Sequence, residues 1–442
     1  MTERRRRTAS AAETALAQTF QAIHTGLPGN GGAAALRAEN FDSFIKSGLP
    51  TRRVEAWHYT DLRAAMQTAF PLAGAPDADA FASAGSVLSG LPAAANRIVL
   101  VDGTFCEKLS RIADGAVSVT ALEDALAAAD PAFVAEIAPA NGSGDAAVVL
   151  NAAMMGGGAV IGIAAGATVA EPLEIVTIAT RRQDAAFFVR TLVRAGNGSA
   201  ATIVERHVHA GTAGVQINGV VVVRAGEKAQ VDHVFLQDGQ GEGLVHVATM
   251  LANLAASAQL KSFALVDTGA FVRRQVFSRF EGAEATLDLS GLMLVRNRDH
   301  NDTTLVVEHI HPDCISKEYF KHIVDGSGTG VFQGKVSVRP EAQKTDGSMK
   351  SQTILLSDDA AMYNKPELEI FADDVACSHG ATCGSLDTNQ LFYAMARGLP
   401  KREAEALLLE AFGADAIGRV ANEGLRAELR GRLQRWLGER KG

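Results

Sequence analysis

Apolar residues near the amino terminus recur at helical intervals, with Leu16, Phe20 and Ile23 separated by four and three positions. Ser10 and Glu13 precede them at the spacing of a capping box, where a hydroxyl and a carboxylate satisfy the free backbone N–H groups of the first turn. After a break at Gly26 to Gly32, a second pattern through Phe41, Phe44 and Ile45 predicts another helix, stopped by Gly48-Leu49-Pro50. Leu72 to Ala95, rich in Ala, Gly and Pro, reads as a connector.

From about Arg97 the period changes. Short runs of Val, Ile, Thr and Phe, such as Arg97 to Val101, Ala159 to Ile163 and Val220 to Val223, alternate with Gly, Asn and Asp turns and predict strands. Between Ala146 and Thr180 the apolar runs are separated only by Gly156-Gly157-Gly158, Ala164-Ala165-Gly166-Ala167 or Glu171-Pro172. That spacing predicts strands with no room for intervening helices and disfavours βαβ units. Strands so short and frequent, continuing to about residue 375, fit a sandwich, a barrel or a β-helix, and pattern alone does not choose among them. The lack of a fixed-length repeat argues against a regular solenoid of identical rungs.

After Asp387 the helical period returns. Leu399-Pro400 marks a helix start, Ala404, Leu407, Leu408, Ala411 and Phe412 form one face, and Gly413 is expected to end the helix. A last amphipathic segment aligns Leu425, Leu429, Leu433 and Leu437 among arginines and glutamates, a stripe expected to pack on its own domain. The chain thus divides into residues 1–95, a helical region and connector; 96–386, a β core; and 387–442, a helical region.

With 442 residues, 47% hydrophobic and 21% charged, the chain can bury a large core. A net charge of -8 argues against a nucleic-acid partner, which calls for a basic face. The four cysteines, Cys106, Cys314, Cys377 and Cys383, are too few for a disulfide framework and suit a reducing, cytoplasmic compartment. Arg4 to Arg7 resembles a signal-peptide head, but the Ala-rich segment after it is interrupted by Glu13. The longest uncharged stretch, Ala146 to Ala170, is broken by Asn151, Thr168 and glycines, so no membrane span is expected.

Candidate chemistry narrows quickly. Gly326-Ser327-Gly328-Thr329-Gly330 before Gly334-Lys335 fails as a phosphate loop, because Thr329 stands where glycine is required and Val336 where Ser or Thr is. Glycine at a β-turn explains it. No dinucleotide fingerprint, serine elbow or zincin helix is present. The pairs His207 with His209 and His309 with His311 would each share a strand face, yet neither has a third ligand nearby in sequence. The acid pairs Asp358-Asp359 and Asp373-Asp374 suit turns better than paired catalytic carboxylates. Cys377 and His379 would also share a face if extended, with Cys383 six residues on, and thiolate plus imidazole suit iron, iron–sulfur clusters or zinc. This is the best chemical cluster in the chain, although a lone Cys is commonly a small buried hydrophobe.

Several motifs in one order carry a family resemblance. Asn301-Asp302-Thr303-Thr304 with Val307-Glu308-His309, then Phe332-Gln333-Gly334-Lys335-Val336 and Lys344-Thr345-Asp346-Gly347 resemble the common core of the SufB and SufD proteins. Lys365-Pro366-Glu367-Leu368-Glu369-Ile370, Ala372-Asp373-Asp374-Val375, Cys377-Ser378-His379-Gly380-Ala381-Thr382 and Gln390-Leu391-Phe392-Tyr393 look specifically like SufD, as does Arg53 to Thr60. The resemblance implies a mainly β protein, a right-handed parallel β-helix flanked by helical regions. It further implies a non-catalytic scaffold subunit of the SufBCD iron–sulfur cluster assembly complex, paired with SufB through strands near the end of the β-helix. ATP hydrolysis would belong to SufC, which docks on the carboxy-terminal helices, on the face of Ala404, Leu407, Leu408, Ala411 and Phe412. The family's functional histidine maps onto His379, a transient iron ligand or proton carrier acting with a SufB cysteine, and Cys377 lies in the same motif. No tightly bound cofactor is implied; iron or a cluster would pass through the interface, and reduced flavin, associated with the family's complex, has no legible motif here. A homodimer is the alternative assembly in isolation.

Two other functions compete. A SufB-like cluster carrier would show a Glu-His-Glu pattern in place of Cys-Ser-His-Gly and a cysteine near Ser351-Gln352-Thr353. A β-helix enzyme acting on polysaccharide would need aromatic platforms, for which two Trp and four Tyr supply little.

Overall fold

The computed structural model describes residues 8–440 apart from 129, 140, 141, 143 and 239–242, so Arg4 to Arg7 lie outside the described residues. The first helix, Ala11–Ile23, has its capping box complete: Ser10 Oγ accepts from the Glu13 N–H at 3.2 Å, and the Glu13 carboxylate accepts from the Ser10 N–H at 2.6 Å. Leu16 and Phe20 are buried there, as are Phe41 and Phe44 in the helix Gly32–Ser47.

Two segments differ from the sequence reading. The connector holds a helix, Ala78–Gly90, capped by Asp77, whose carboxylate accepts from the Ala80 N–H at 2.8 Å. Its buried side is only Ala80 and Ala84, too weak a stripe to register as a period. Ala146 to Met154 is a helix rather than strands, and all nine residues are buried. A run apolar on every side carries no periodicity, so the cap decides: Asp145 accepts from the N–H groups of Ala147 and Val148. Helices Leu122–Ala127 and Pro131–Ile137 precede it.

The remaining chain is a parallel β-solenoid. Successive strands alternate between two sheets, one of 10 strands and one of 9, so that each strand pairs with the next but one. Antiparallel pairs close only the start: Asn96–Val101 with Thr104–Phe105, and Val117–Ala121 with Ala159–Ile163. Coil length varies, from Val245 against Phe271 to Thr329 against Ala361, which explains the missing fixed repeat.

What does repeat is one corner. Gly166, Gly198, Lys228, Ser257, Glu284, Asp313 and Lys344 all have φ between 56° and 72°. At each of these positions the backbone N–H donates to a carbonyl one coil on, for example Gly198 to Glu227, Lys228 to Ala256 and Lys344 to Asp374. Only two of the seven residues are glycine, so a recurring left-handed conformation is filled by different side chains and leaves no sequence signature.

The terminal regions cover the outer faces of the two sheets. Trp57, Phe44, Leu16 and Met154 pack with Phe188 and Val247 on the 9-stranded sheet. Leu409, Ile417, Leu429, Leu433 and Trp436 pack with Leu236, Leu265 and Leu292 on the other. The stripe Leu425, Leu429, Leu433 and Leu437 is buried as expected. Buried Arg432 fixes this packing through Asp267 at 2.5 Å and Asp238 at 2.7 Å, while Arg206 holds Glu428 at 2.7 Å.

The helix Lys401–Ile417 corrects two expectations. It runs past Gly413, where an added Cβ would lie 2.6 Å from Leu433 Cδ2 and 3.1 Å from Leu292 Cδ2, so the glycine permits close packing rather than ending the helix. Its buried face is Ala404, Leu409, Gly413, Ala416 and Ile417; Leu407 and Ala411 are exposed, and Leu408 and Phe412 half-buried. Three consecutive leucines at 407–409 made the phase ambiguous, and the sheet selects the third.

Candidate functional site

Both sheets finish at one end of the solenoid. Val375–Gly384 is the last strand of the 10-stranded sheet and Ala361–Ile370 the last of the other, and among the described residues neither has a neighbour on its outer edge. The face seen beyond them is unusually exposed for a strand: within Val375–Gly384 only Val375 and Cys377 are even half-buried. Tyr363, Ile370 and Phe371 are exposed along the other edge, and Phe392, Tyr393 and Met395 on the helix Thr388–Ala396.

Register places the sequence candidates here. Cys377 pairs with Gly347 and His379 with Met349, whose side chain lies inside the core, so both point toward the solenoid interior at its uncovered end. Cys377 is half-buried against that core, whereas His379 is exposed. Burial pushes the Cys377 thiol up, with Asp346 and Glu318 adding to the effect. Cys383 is exposed on the same strand, and Cys106 and Cys314 are buried. Ser378 faces outward, into a groove of about 530 Å³ shared with Lys317, Tyr319, Lys350 and Arg419.

Two strands in from this edge, Ile315–Val324 carries a residue that sequence reasoning missed. Glu318 lies in the same interior column, next to Met349, with His379 beyond it. It is 1% exposed, neither carboxyl oxygen has a hydrogen-bond partner, and burial pushes its pKa up to about 8. The Ser316 hydroxyl stands near enough to favour the ionised form, but not in hydrogen-bonding geometry. Strand parity was the only signal that could have found it.

The histidine pairs resolve differently. His207 is part of a closed interior cluster: His207 Nε2 and His233 Nε2 meet the Glu205 carboxylate at 2.7 Å and 3.1 Å, and His246 Nδ1 meets Gln237 Oε1 at 2.7 Å. His209 is buried without joining it. His309 packs against Phe280 at 4.4 Å, pushed down to about 4 by burial, while His311 lies beyond the strand His300–His309. Among the described residues no three His, Cys, Asp or Glu side chains converge as a metal site. No helix of the described residues is long and apolar enough to cross a membrane.

The motif Arg53 to Thr60 forms a clasp on the outer face of the 9-stranded sheet. The Arg273 guanidinium stacks 3.7 Å over the Trp57 ring, donates to the Ala56 carbonyl at 2.7 Å and pairs with Asp302, which also accepts from the Thr60 hydroxyl. Trp57 Nε1 donates to Asp145 at 2.9 Å, Gln333 to the Ala56 carbonyl at 3.1 Å, and Tyr59 stacks on Tyr363 at 4.9 Å. Lys365 on the terminal strand pairs with Glu55. The amino-terminal region is thus tied to the edge that carries the site.

The helix-clad parallel solenoid with a thiol and an imidazole at its uncovered end has counterparts among known proteins, which define its class. Residues 177–412 match the SufBD core domain of the SUF system for FeS cluster assembly, and residues 30–175 the SufBD amino-terminal region. The chain is 28% identical over 402 residues to the iron–sulfur cluster assembly protein SufD of Escherichia coli, covering 89% of this chain and 91% of that protein. It is 30% identical over 397 residues to a SufBD family iron–sulfur cluster assembly protein of Synechocystis, covering 86% of each. SufD of Bacillus subtilis is 26% identical over 289 residues, covering 63% of this chain and 64% of that protein. The chain belongs to the SufD family of iron–sulfur cluster assembly proteins.

Proposed function

We propose that the chain is a non-catalytic scaffold subunit of a SufBCD-type complex in the cytoplasm, pairing with SufB at the open end of its solenoid and binding the SufC ATPase through its carboxy-terminal helices. One observation carries this reading: Cys377 and His379 sit on the last strand of a sheet whose edge is unpaired, beside a second unpaired edge with exposed Tyr363, Ile370 and Phe371. Long open edges with apolar side chains invite another chain to continue the ladder. Two soft ligands are too few to hold iron, so the partner supplies the rest and iron passes through as cargo. For SufC, Leu407 and Ala411 offer an exposed apolar strip on a helix whose opposite face is anchored to the sheet. ATP hydrolysis stays with SufC.

Co-expression with SufB and SufC tests this. A stable complex is expected with wild type and with His379→Ala, and cluster content of the complex is expected to fall at least roughly ten-fold in the variant, the scale of losing one ligand contact. Failure of wild type to form any complex sinks the partner assignment; unchanged cluster content removes His379 from the chemistry.

A further inference from the structure

Glu318 is hard to explain as a structural residue. Its neighbours across the sheet, Leu289 and Met349, and one neighbour along the strand face, Phe320, belong to the apolar core, and the other neighbour along the face is Ser316. A carboxyl in such a place destabilises the fold whether it is ionised or a neutral acid without hydrogen bonds. A leucine there would pack without that penalty.

Its surroundings lead to the open end. Gly347, between Ser316 and Cys377 in the adjacent column, has no side chain, and a Cβ built there would lie 3.4 Å from Cys377 Sγ and 3.7 Å from Ser316 Oγ. The thiol and the hydroxyl therefore flank the same glycine, beside Val336, with Glu318 two residues from Ser316 on the same face. The unpartnered carboxyl and hydroxyl of one strand and the thiol and imidazole of the last strand thus share one inward face, with Gly347 and Met349 of the intervening strand between them.

We infer that Glu318 is the counter-charge of the Cys377 and His379 site: when a cation is taken up at the end of the solenoid, the buried carboxyl releases its proton to solvent and stands beneath the cation as a carboxylate. Resting on the proposed function above, this makes Glu318 a positioning residue that acts through space and not a ligand. Two strand spacings separate it from His379, about 10 Å, and at that distance in a medium of effective dielectric about 20 a carboxylate strengthens cation binding on the order of ten-fold.

The test uses the complex with SufB and SufC, titrated anaerobically with ferrous iron by calorimetry in two buffers of different ionisation enthalpy. Glu318→Gln is expected to assemble, to melt above wild type, to bind ferrous iron on the order of ten-fold more weakly, and to release about one proton fewer on binding. Equal affinity and equal proton release overturn the inference, and so does failure of Glu318→Gln to assemble, which makes the carboxyl structural. His379→Ala in the same assay separates the two readings. If it loses iron and Glu318→Gln does not, the site stands and the counter-charge falls; if neither variant differs from wild type, or wild type takes up no iron, both fall.

Discussion

Glu318→Gln in the chain by itself measures what one buried carboxyl does to stability. Burial raises its pKa from 4.5 to about 8, so between those values the folded protein holds a proton that the unfolded chain has released. Unfolding then gains stability relative to folding as pH rises: the contribution of this group is intact below 4.5, declines by about 1.4 kcal/mol per pH unit, and levels off above 8. At pH 7 the loss amounts to about 3 kcal/mol. Glutamine has the shape of the protonated acid and does not titrate, so it keeps the packing and removes the slope. With unfolding entropy near 2 cal/mol/K per residue, a chain of this length converts that energy to about 3 °C. Melting curves of both proteins at pH 5, 6, 7 and 8 are expected to coincide within about 1 °C at pH 5 and to separate as pH rises, Glu318→Gln melting higher. All other titrating groups are common to the pair and cancel in the difference. A gap independent of pH, or a variant less stable throughout, would refute the reasoning, because it would mean that the carboxyl has a partner in the folded protein.

Three further outcomes follow from packing. Asp302→Ala leaves Arg273 fully buried without its carboxylate, and is expected to destabilise the protein by about 3–5 kcal/mol in chemical denaturation, more than any exposed ion pair would. Gly413→Ala forces a methyl to 2.6 Å from Leu433, and is expected to lower stability by about 1–3 kcal/mol with the helix Glu423–Gly438 loosened first, read by hydrogen exchange of its amides. Native thiol titration with an aromatic disulfide is expected to modify Cys383 first and Cys377 more slowly, while Cys106 and Cys314 react only on unfolding. Reaction of Cys314 in the folded protein would contradict its burial.

How much of this was legible in the sequence depends on which period carried the information. Helices with one apolar stripe and a cap were readable, as at Ser10 to Ile23, because local chemistry sets them. Where the apolar character was uniform, at Ala146 to Met154, the same rules chose strand wrongly, and only the buried surroundings and Asp145 explain the helix. The strands were readable by composition, but their stacking was not. Coils of unequal length are held in register by a left-handed corner that Gly198, Lys228, Ser257 and Asp313 occupy equally well, so the repeat exists in the backbone and not in residue types.

That limit decides what could be said of the site. Cys377 and His379 stood out because two soft ligands two positions apart share a face on any strand. Glu318 is 59 residues from Cys377 and joins it only if Ser316 falls opposite Gly347 and Gly347 opposite Cys377. A slip of one residue in the first pairing would turn Glu318 outward into solvent, where a glutamate is unremarkable, and a slip in the second would turn Cys377 and His379 outward instead. Its meaning therefore resides in the register of three strands. The Glu318→Gln pH series consequently tests more than one side chain: a gap that opens with pH requires the carboxyl to be inside, and a carboxyl inside requires the last coils to stack as described.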